Sequence, residues 1–301
     1  ITQNAGTIAG VAAPTTSFFT QAGNNQLSIA STTGVLVAAT QPQPTTVSRA
    51  VDSTNPIWGG ATPDNVWMIG QDILITVAFN TNVYVTQTSG TPRIPLTIGA
   101  TTRYATYLSG GDGQTSLIFR YVVVAGDNDS DGSIDVASID LNGGTITDAA
   151  NTNALLTLPS ATLTSTSIDG VRPTIASVTP PANGTYSTIV GNMNFTVTWS
   201  EAVNLSAITS YLPLTVGVSS VNATWVSGAN TTGILFRATS SGNDLDGITV
   251  NSPLVSSTTV FKDQAGNTAS DFTLTPPNTT AVLVDNTAPT VTSVTPPANG
   301  I

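Results

Sequence analysis

Apolar and polar positions alternate along several stretches of the chain. Ile73, Ile75, Val77 and Phe79 alternate with Leu74, Thr76 and Ala78. Phe195, Val197 and Trp199 alternate with Thr196, Thr198 and Ser200, and Leu117, Phe119, Tyr121 and Val123 make a third such run. A period of two puts one face of a strand on a core and the other in water. Gly, Pro and Asn break the chain every ten residues or so, as at Ser109-Gly-Gly-Asp-Gly113, Asn142-Gly-Gly144 and Thr275-Pro-Pro-Asn278. Short strands between such breaks predict an all-β fold built of β-sandwiches. No segment carries a helical period.

An internal repeat organises these strands. Asp169-Gly-Val-Arg-Pro-Thr-Ile-Ala-Ser-Val-Thr-Pro-Pro-Ala-Asn-Gly184 returns as Asp285-Asn-Thr-Ala-Pro-Thr-Val-Thr-Ser-Val-Thr-Pro-Pro-Ala-Asn-Gly300. Asp52-Ser-Thr-Asn-Pro56-Ile-Trp58 reads as a weaker third copy. Downstream, Gly126-Asp-Asn-Asp-Ser-Asp-Gly132 matches Gly242-Asn-Asp-Leu-Asp-Gly247, and Thr147-Asp-Ala-Ala-Asn151 matches Lys262-Asp-Gln-Ala-Gly-Asn267. A repeat this long suits an array of domains, each with its own core. The expected units are 49–168 and 169–285. Residues 286–301 are expected to open a third module or to act as an intersubunit strand. Residues 1–48 fall outside the repeat. They are β-prone in pieces and too few for a core of their own. They read as the end of a preceding module, as extra strands on the first module, or as a strand donated to a neighbour.

Composition narrows the chemistry. The chain of 301 residues has net charge −10, 8% charged residues, no Cys and no His. Disulfides, thiolate chemistry, His-based triads and His-ligated metals are therefore excluded. Seven basic residues against seventeen acidic ones argue against a nucleic-acid partner. No apolar run is long enough for a membrane helix. Lys262 is the only lysine and Glu201 the only glutamate, so Thr, Ser, Asn and Gln must supply the polar surface. A Cys-free, Thr-rich chain of this kind fits an extracellular bacterial protein.

The strings Tyr121 to Gly132, Leu141 to Asn151, Asp169 to Gly184, Trp199-Ser-Glu-Ala-Val203, Asp263-Gln-Ala-Gly-Asn267 and Val284-Asp-Asn-Thr-Ala-Pro289 occur in one order. Together they resemble the bacterial immunoglobulin-like tandem repeats of giant surface adhesins and secreted repeat proteins. The resemblance covers about 50–301. It implies Ig-like sandwiches in a row on a cell surface or surface fibre.

Candidate chemistry is acidic. Asp127, Asp129 and Asp131 alternate ahead of Gly132, and Asp135 follows. Carboxylates spaced this way around a tight turn can face one calcium ion, although the absence of an acid at Ser138 rules out an EF-hand. The other reading is a solvated acidic turn. A second candidate calcium site lies where modules meet, with Asp148, Asp169 and Glu201 converging and Asp263 and Asp285 repeating the pattern. In arrays of the kind the chain resembles, such junction ions stiffen the fibre. Capping and turn bonding by these Asp residues is the alternative. Trp58 and Trp67 flank a Gly/Pro-rich loop that the second module lacks, and they are candidates for an exposed glycan contact. No catalytic constellation is evident, because the acidic residues sit in repeated turn motifs. The expected function is therefore non-enzymatic: a calcium-stiffened stalk or adhesive fibre whose partners are neighbouring modules and host or surface glycans. The alternatives are a filament or sheath subunit joined by strand exchange into a homopolymer, and a carbohydrate-binding module.

Overall fold

The computed structural model describes residues 40–49, 65–188, 191–205, 209–256 and 261–297. The proposals for residues 1–39 and for Trp58, and the weak repeat copy at Asp52, lie outside the described residues. Within them the protein is all-β and contains no helix.

The first unit contains β1 (Pro44–Arg49), β2 (Val66–Met68), β3 (Asp72–Thr86), β4 (Arg93–Ile98), β5 (Thr101–Gly110), β6 (Gln114–Val122), β7 (Asn128–Asp129), β8 (Ser133–Val136), β9 (Thr145–Thr147), β10 (Thr162–Thr164) and β11 (Ser167–Asp169). Its main sheet runs β1-β3-β6-β5-β4-β8-β10, with β9 on the far end of β3, and a short ladder runs β2-β11-β7. The second unit contains β12 (Ile175–Thr179), β13 (Gly184–Tyr186), β14 (Asn192–Leu205), β15 (Tyr211–Val216), β16 (Ser219–Ser227), β17 (Thr231–Thr239), β18 (Thr249–Val250), β19 (Phe261–Lys262) and β20 (Val282–Val284). It repeats the order as β12-β14-β17-β16-β15-β18, with β19 on β14 and β13 paired to β20.

The alternation seen in the sequence builds both interiors. Ile73, Ile75 and Val77 of β3 and Leu117 and Phe119 of β6 have no solvent exposure, and Trp67 and Ile168 join them from the short ladder. Met193, Phe195, Val197 and Trp199 of β14 play the same part in the second unit, with Trp199 stacked on Phe261 at 4.9 Å between ring centroids. The two apolar clusters share no residue, so each unit has its own core. Each of the larger buried side chains contributes about 1.5–3 kcal/mol.

The observed pairing adds a strand to the first unit ahead of residue 49. β1 pairs antiparallel with β3, setting Val47 opposite Val77, as β12 pairs with β14, setting Val178 opposite Val197. Residues 44–48 therefore lie on the first unit as an added strand, one of the three readings that the sequence left open for residues 1–48. The Asp52 string copies the wording of the repeat, but it follows this strand instead of preceding it.

Candidate functional site

Glu201 continues the inward parity of Phe195, Val197 and Trp199 along β14. There the pairing of β14 with β17 breaks between Thr198 and Val203, so this stretch leaves the regular ladder. A carboxylate thus stands at a position whose alternation calls for an apolar side chain, at the rim of the second core. Thr81 occupies the equivalent place in β3, which has the same interruption between Ala78 and Val83.

Asp263 is held by its own loop. Its Oδ1 accepts the amides of Gly266 (2.7 Å) and Asn267 (2.8 Å), and its Oδ2 accepts the Asn267 side-chain amide at 2.8 Å. The loop closes because Gly266 adopts φ +102°, a left-handed conformation that suits glycine. Asp169 ends β11 and turns the chain into the second unit, its Oδ1 accepting the Val171 amide at 3.1 Å.

These three residues meet at the seam between the units. Carboxylate oxygens of Asp169, Glu201 and Asp263 lie within 4.8 Å of one another, the one such acidic trio among the described residues. Asn267, itself buried, ties the seam from the second unit. Its Oδ1 accepts the Ile69 amide at 3.0 Å, and its side-chain amide also donates to the Asp169 carbonyl at 2.7 Å. The Arg172 guanidinium donates to the Thr268 carbonyl at 2.6 Å. The packing is close: a Cβ on Gly266 would lie 2.9 Å from the Met68 sulfur. A cavity of about 440 Å³ opens beside the trio, lined by Asp169, Glu201, Gln264, Ser130 and Ser200 among others.

Three carboxylates in one place oppose their own ionisation. Burial, and then the charges of Asp169 and Asp263, push Glu201 up to about 7. Burial, with the Asp263 charge added, raises Asp169, and burial raises Asp263 against its loop hydrogen bonds. Each charged pair at about 5 Å repels by about 3 kcal/mol at an effective dielectric of about 20, and by less where water screens the half-exposed Glu201. The donor set is all hard oxygen, and every carboxylate keeps lone pairs that its hydrogen bonds do not use. A calcium or similar divalent cation fits such a set.

The other sequence candidates occupy different places. Asp148 is the first unit's counterpart of Asp263. Its Oδ1 accepts the amides of Ala150 and Thr152, both at 2.8 Å, far along the chain from the seam loop. Asp285 repeats the Asp169 turn at the end of the second unit, accepting the Thr287 amide at 2.9 Å.

The carboxylates of the 127–135 motif are dispersed among structural tasks. Asp127 is buried and paired with Arg103 at 2.7 Å. It also accepts the Tyr121 hydroxyl and the Val124 amide. Asp129 accepts the Gly99 amide at 2.9 Å, and Asp244 accepts the Gly217 amide at 2.6 Å in the second unit. That shared job, capping the turn between β4 and β5 or between β15 and β16, accounts for the motif's recurrence. Asp131 bonds Ser133, and Asp135 accepts from Thr162. No three of these carboxylates gather at one point.

Trp67 corrects the expectation of an exposed contact. It is 1% exposed, its ring faces the first core, and the Arg49 guanidinium lies 4.3 Å over it. A three-residue strand is too short for a sequence period to reveal its buried face.

Asn267 is the seam residue that sequence reasoning missed as a contact. The visible signal was Asn at the end of Asp263-Gln-Ala-Gly-Asn, where the first unit has Thr152.

No protein-family model matches the chain, and no curated protein matches it in sequence. Among solved structures it is similar to a Ca2+-stabilized adhesin that helps an Antarctic bacterium reach out and bind ice, with TM-score 0.32, 15% identity and coverage of 80% of this chain. A 1.5-MDa bacterial ice-binding adhesin, studied for its retention at the host cell surface, gives TM-score 0.30, 16% identity and 82% coverage. The chain spans 49% and 66% of those two structures.

Proposed function

We propose that this chain is a load-bearing piece of an extracellular bacterial surface protein, made of tandem Ig-like sandwiches and stiffened by calcium at the seam between them. The observation that carries the proposal is the convergence of Asp169 from the first unit with Glu201 and Asp263 from the second. A divalent cation held there would draw ligands from both units, so its binding energy would resist bending and separation of the two.

Asp169, Glu201 and Asp263 would hold the ion, and the ion would supply the positive charge that their mutual repulsion lacks. Asn267 orients two of the three, bonding the Asp263 carboxylate and the Asp169 carbonyl at once. The acidic net charge and near-absence of lysine keep the rest of the surface polar and weakly charged, which suits a spacer more than a reactive surface.

Calorimetric titration of the whole chain with calcium tests this. The expected result is saturable binding that Glu201→Gln weakens at least tenfold while both units stay folded. Absence of saturable binding, or binding unchanged in Glu201→Gln, would refute it.

A further inference from the structure

The segment after β20 repeats the opening strand of the second unit. Residues 289–297 differ from residues 173–181 only by Val291 for Ile175 and Thr292 for Ala176. In the internal copy, Ile175 lies opposite Trp199 and Val178 opposite Val197, and both side chains pack against the second core. In the later copy, Val291 and Val294 are 84% and 82% exposed, and the segment joins no sheet among the described residues. Two valines at the spacing that the bulge in β12 brings onto one face, between Ile175 and Val178, on a sequence that elsewhere in this molecule pairs with a β14-type strand, mark an unpaired strand.

The head of the molecule carries a weak version of the same contact. β1 sets Val47 opposite Val77, but Pro44 opposite Phe79 where β12 has Ile175. Proline cannot donate to the ladder, and Val47 is only partly buried against the first core. Val291 and Val294 would set a valine opposite each of Phe79 and Val77, where β1 sets a proline and a valine. A separate sign lies at the same end. Asp148, equivalent to the seam residue Asp263, is 7% exposed, and its second carboxylate oxygen is buried without a hydrogen-bond partner. Its counterpart oxygen on Asp263 is held by Asn267, the residue that also reaches across the seam. Asp285, at the tail, has the same turn as Asp169 and would be brought towards Asp148.

From these features we propose that residues 289–297 are an exchange strand: they replace β1 on β3 of a second copy of this chain and join copies head to tail. The contact is heterologous, so repeating it makes a linear filament. It does not depend on a cation at the seam trio, because its ladder and valine contacts involve neither Glu201 nor Asp263.

The register of β12 on β14 predicts that Thr295 pairs with Thr76 of the second copy, as Thr179 pairs with Thr196. The chain has no Cys, so full-length Thr76→Cys and Thr295→Cys chains can be mixed and oxidised. The expected product is the mixed disulfide, extending to multimers in a chain carrying both substitutions. Val291→Asp with Val294→Asp should abolish it and leave both unfolding transitions unchanged, because those valines are exposed. Sedimentation of the unsubstituted chain should show the average mass at least doubling with concentration. A mixed disulfide that survives the double Asp substitution overturns the proposal. So does a chain that stays monomeric at every concentration, as it would if the segment serves a further module of its own polypeptide.

Discussion

The Asn267 side-chain amide donates 2.7 Å to the carbonyl of Asp169 and 2.8 Å to the carboxylate of Asp263. One buried side chain thus fixes the spacing of two acidic residues that belong to different units. Its Oδ1 meets the Ile69 amide as well, so the seam is joined at two points of the first unit. Asn267→Ala would leave the Ile69 amide and the Asp263 Oδ2 without their partners, while Asp263 Oδ1 keeps its backbone amides. Each lost bond of this kind costs about 1–3 kcal/mol. The expected outcome is a loss of about 2–4 kcal/mol in the second unit and weaker calcium binding, read by calorimetric melting with and without the ion. Asn267→Thr, which installs the residue found at position 152, should behave in the same way.

Glu201 gives a pH signature. Its carboxyl rises from the ordinary 4.5 to about 7 in the folded protein. Folding therefore favours the protonated form. The stability it contributes is complete below about 4.5 and is lost as pH rises through about 7. With chelator present, the melting temperature of the second unit should fall between those values, and Glu201→Gln should flatten the dependence. Calcium should reverse the trend, because the ion needs the ionised carboxylates. A chelated protein whose second unit melts at the same temperature throughout that range would contradict this assignment.

Asp127 makes a different prediction. It anchors Arg103, Tyr121 and Val124, and its backbone grips the linker through Gly170, whose amide donates to the Asp127 carbonyl at 2.6 Å. Asp127→Ala strands the guanidinium and the phenol and should destabilise the first unit by about 3 kcal/mol, with no change in calcium stoichiometry. Urea denaturation of the variant, followed by calcium titration, checks both halves of the statement.

Gly170 is the hinge of that grip. A Cβ there would lie 2.6 Å from the Val124 carbonyl oxygen and 2.7 Å from that of Asp127. Gly170→Ala must push the linker away from the 124–127 turn and displace Asp169 with it. Calcium affinity should fall although no ligand has been changed. Wild-type affinity in Gly170→Ala would show that the turn does not position Asp169.

Much of the fold was legible because its long strands alternate strictly. Ile73 to Phe79 and Phe195 to Trp199 are half-buried strands in sequence and in structure. The repeat also displayed the equivalence of Asp148 with Asp263 and of Asp169 with Asp285. What stayed hidden depends on distant chain. Asp127 looked like one ligand of an ion because Arg103, its partner, lies on β5, 24 residues away along the chain. Trp67 looked exposed because β2 has three residues and its neighbours come from β11, some hundred residues on. Which of the three readings of residues 1–48 holds for β1 was not legible, because of its residues only Val47 keeps the repeat's core pattern while the Asp52 string keeps its wording. At the seam, Asp169 and Glu201 were visible as candidates. The sequence could not show that the loop of the second unit, through Asp263, completes the group in place of Asp148.

Stiffening by an ion is a statement about the freedom of one unit relative to the other, and a distance distribution measures it. The chain has no Cys, so spin labels can be placed at Thr102→Cys in the first unit and Val218→Cys in the second, both at exposed positions. Double electron–electron resonance with chelator and then with calcium gives the spread of separations. The predicted result is a distribution that narrows on adding calcium and stays broad when Glu201→Gln is present. Equal widths with and without the ion would contradict a calcium-stiffened seam.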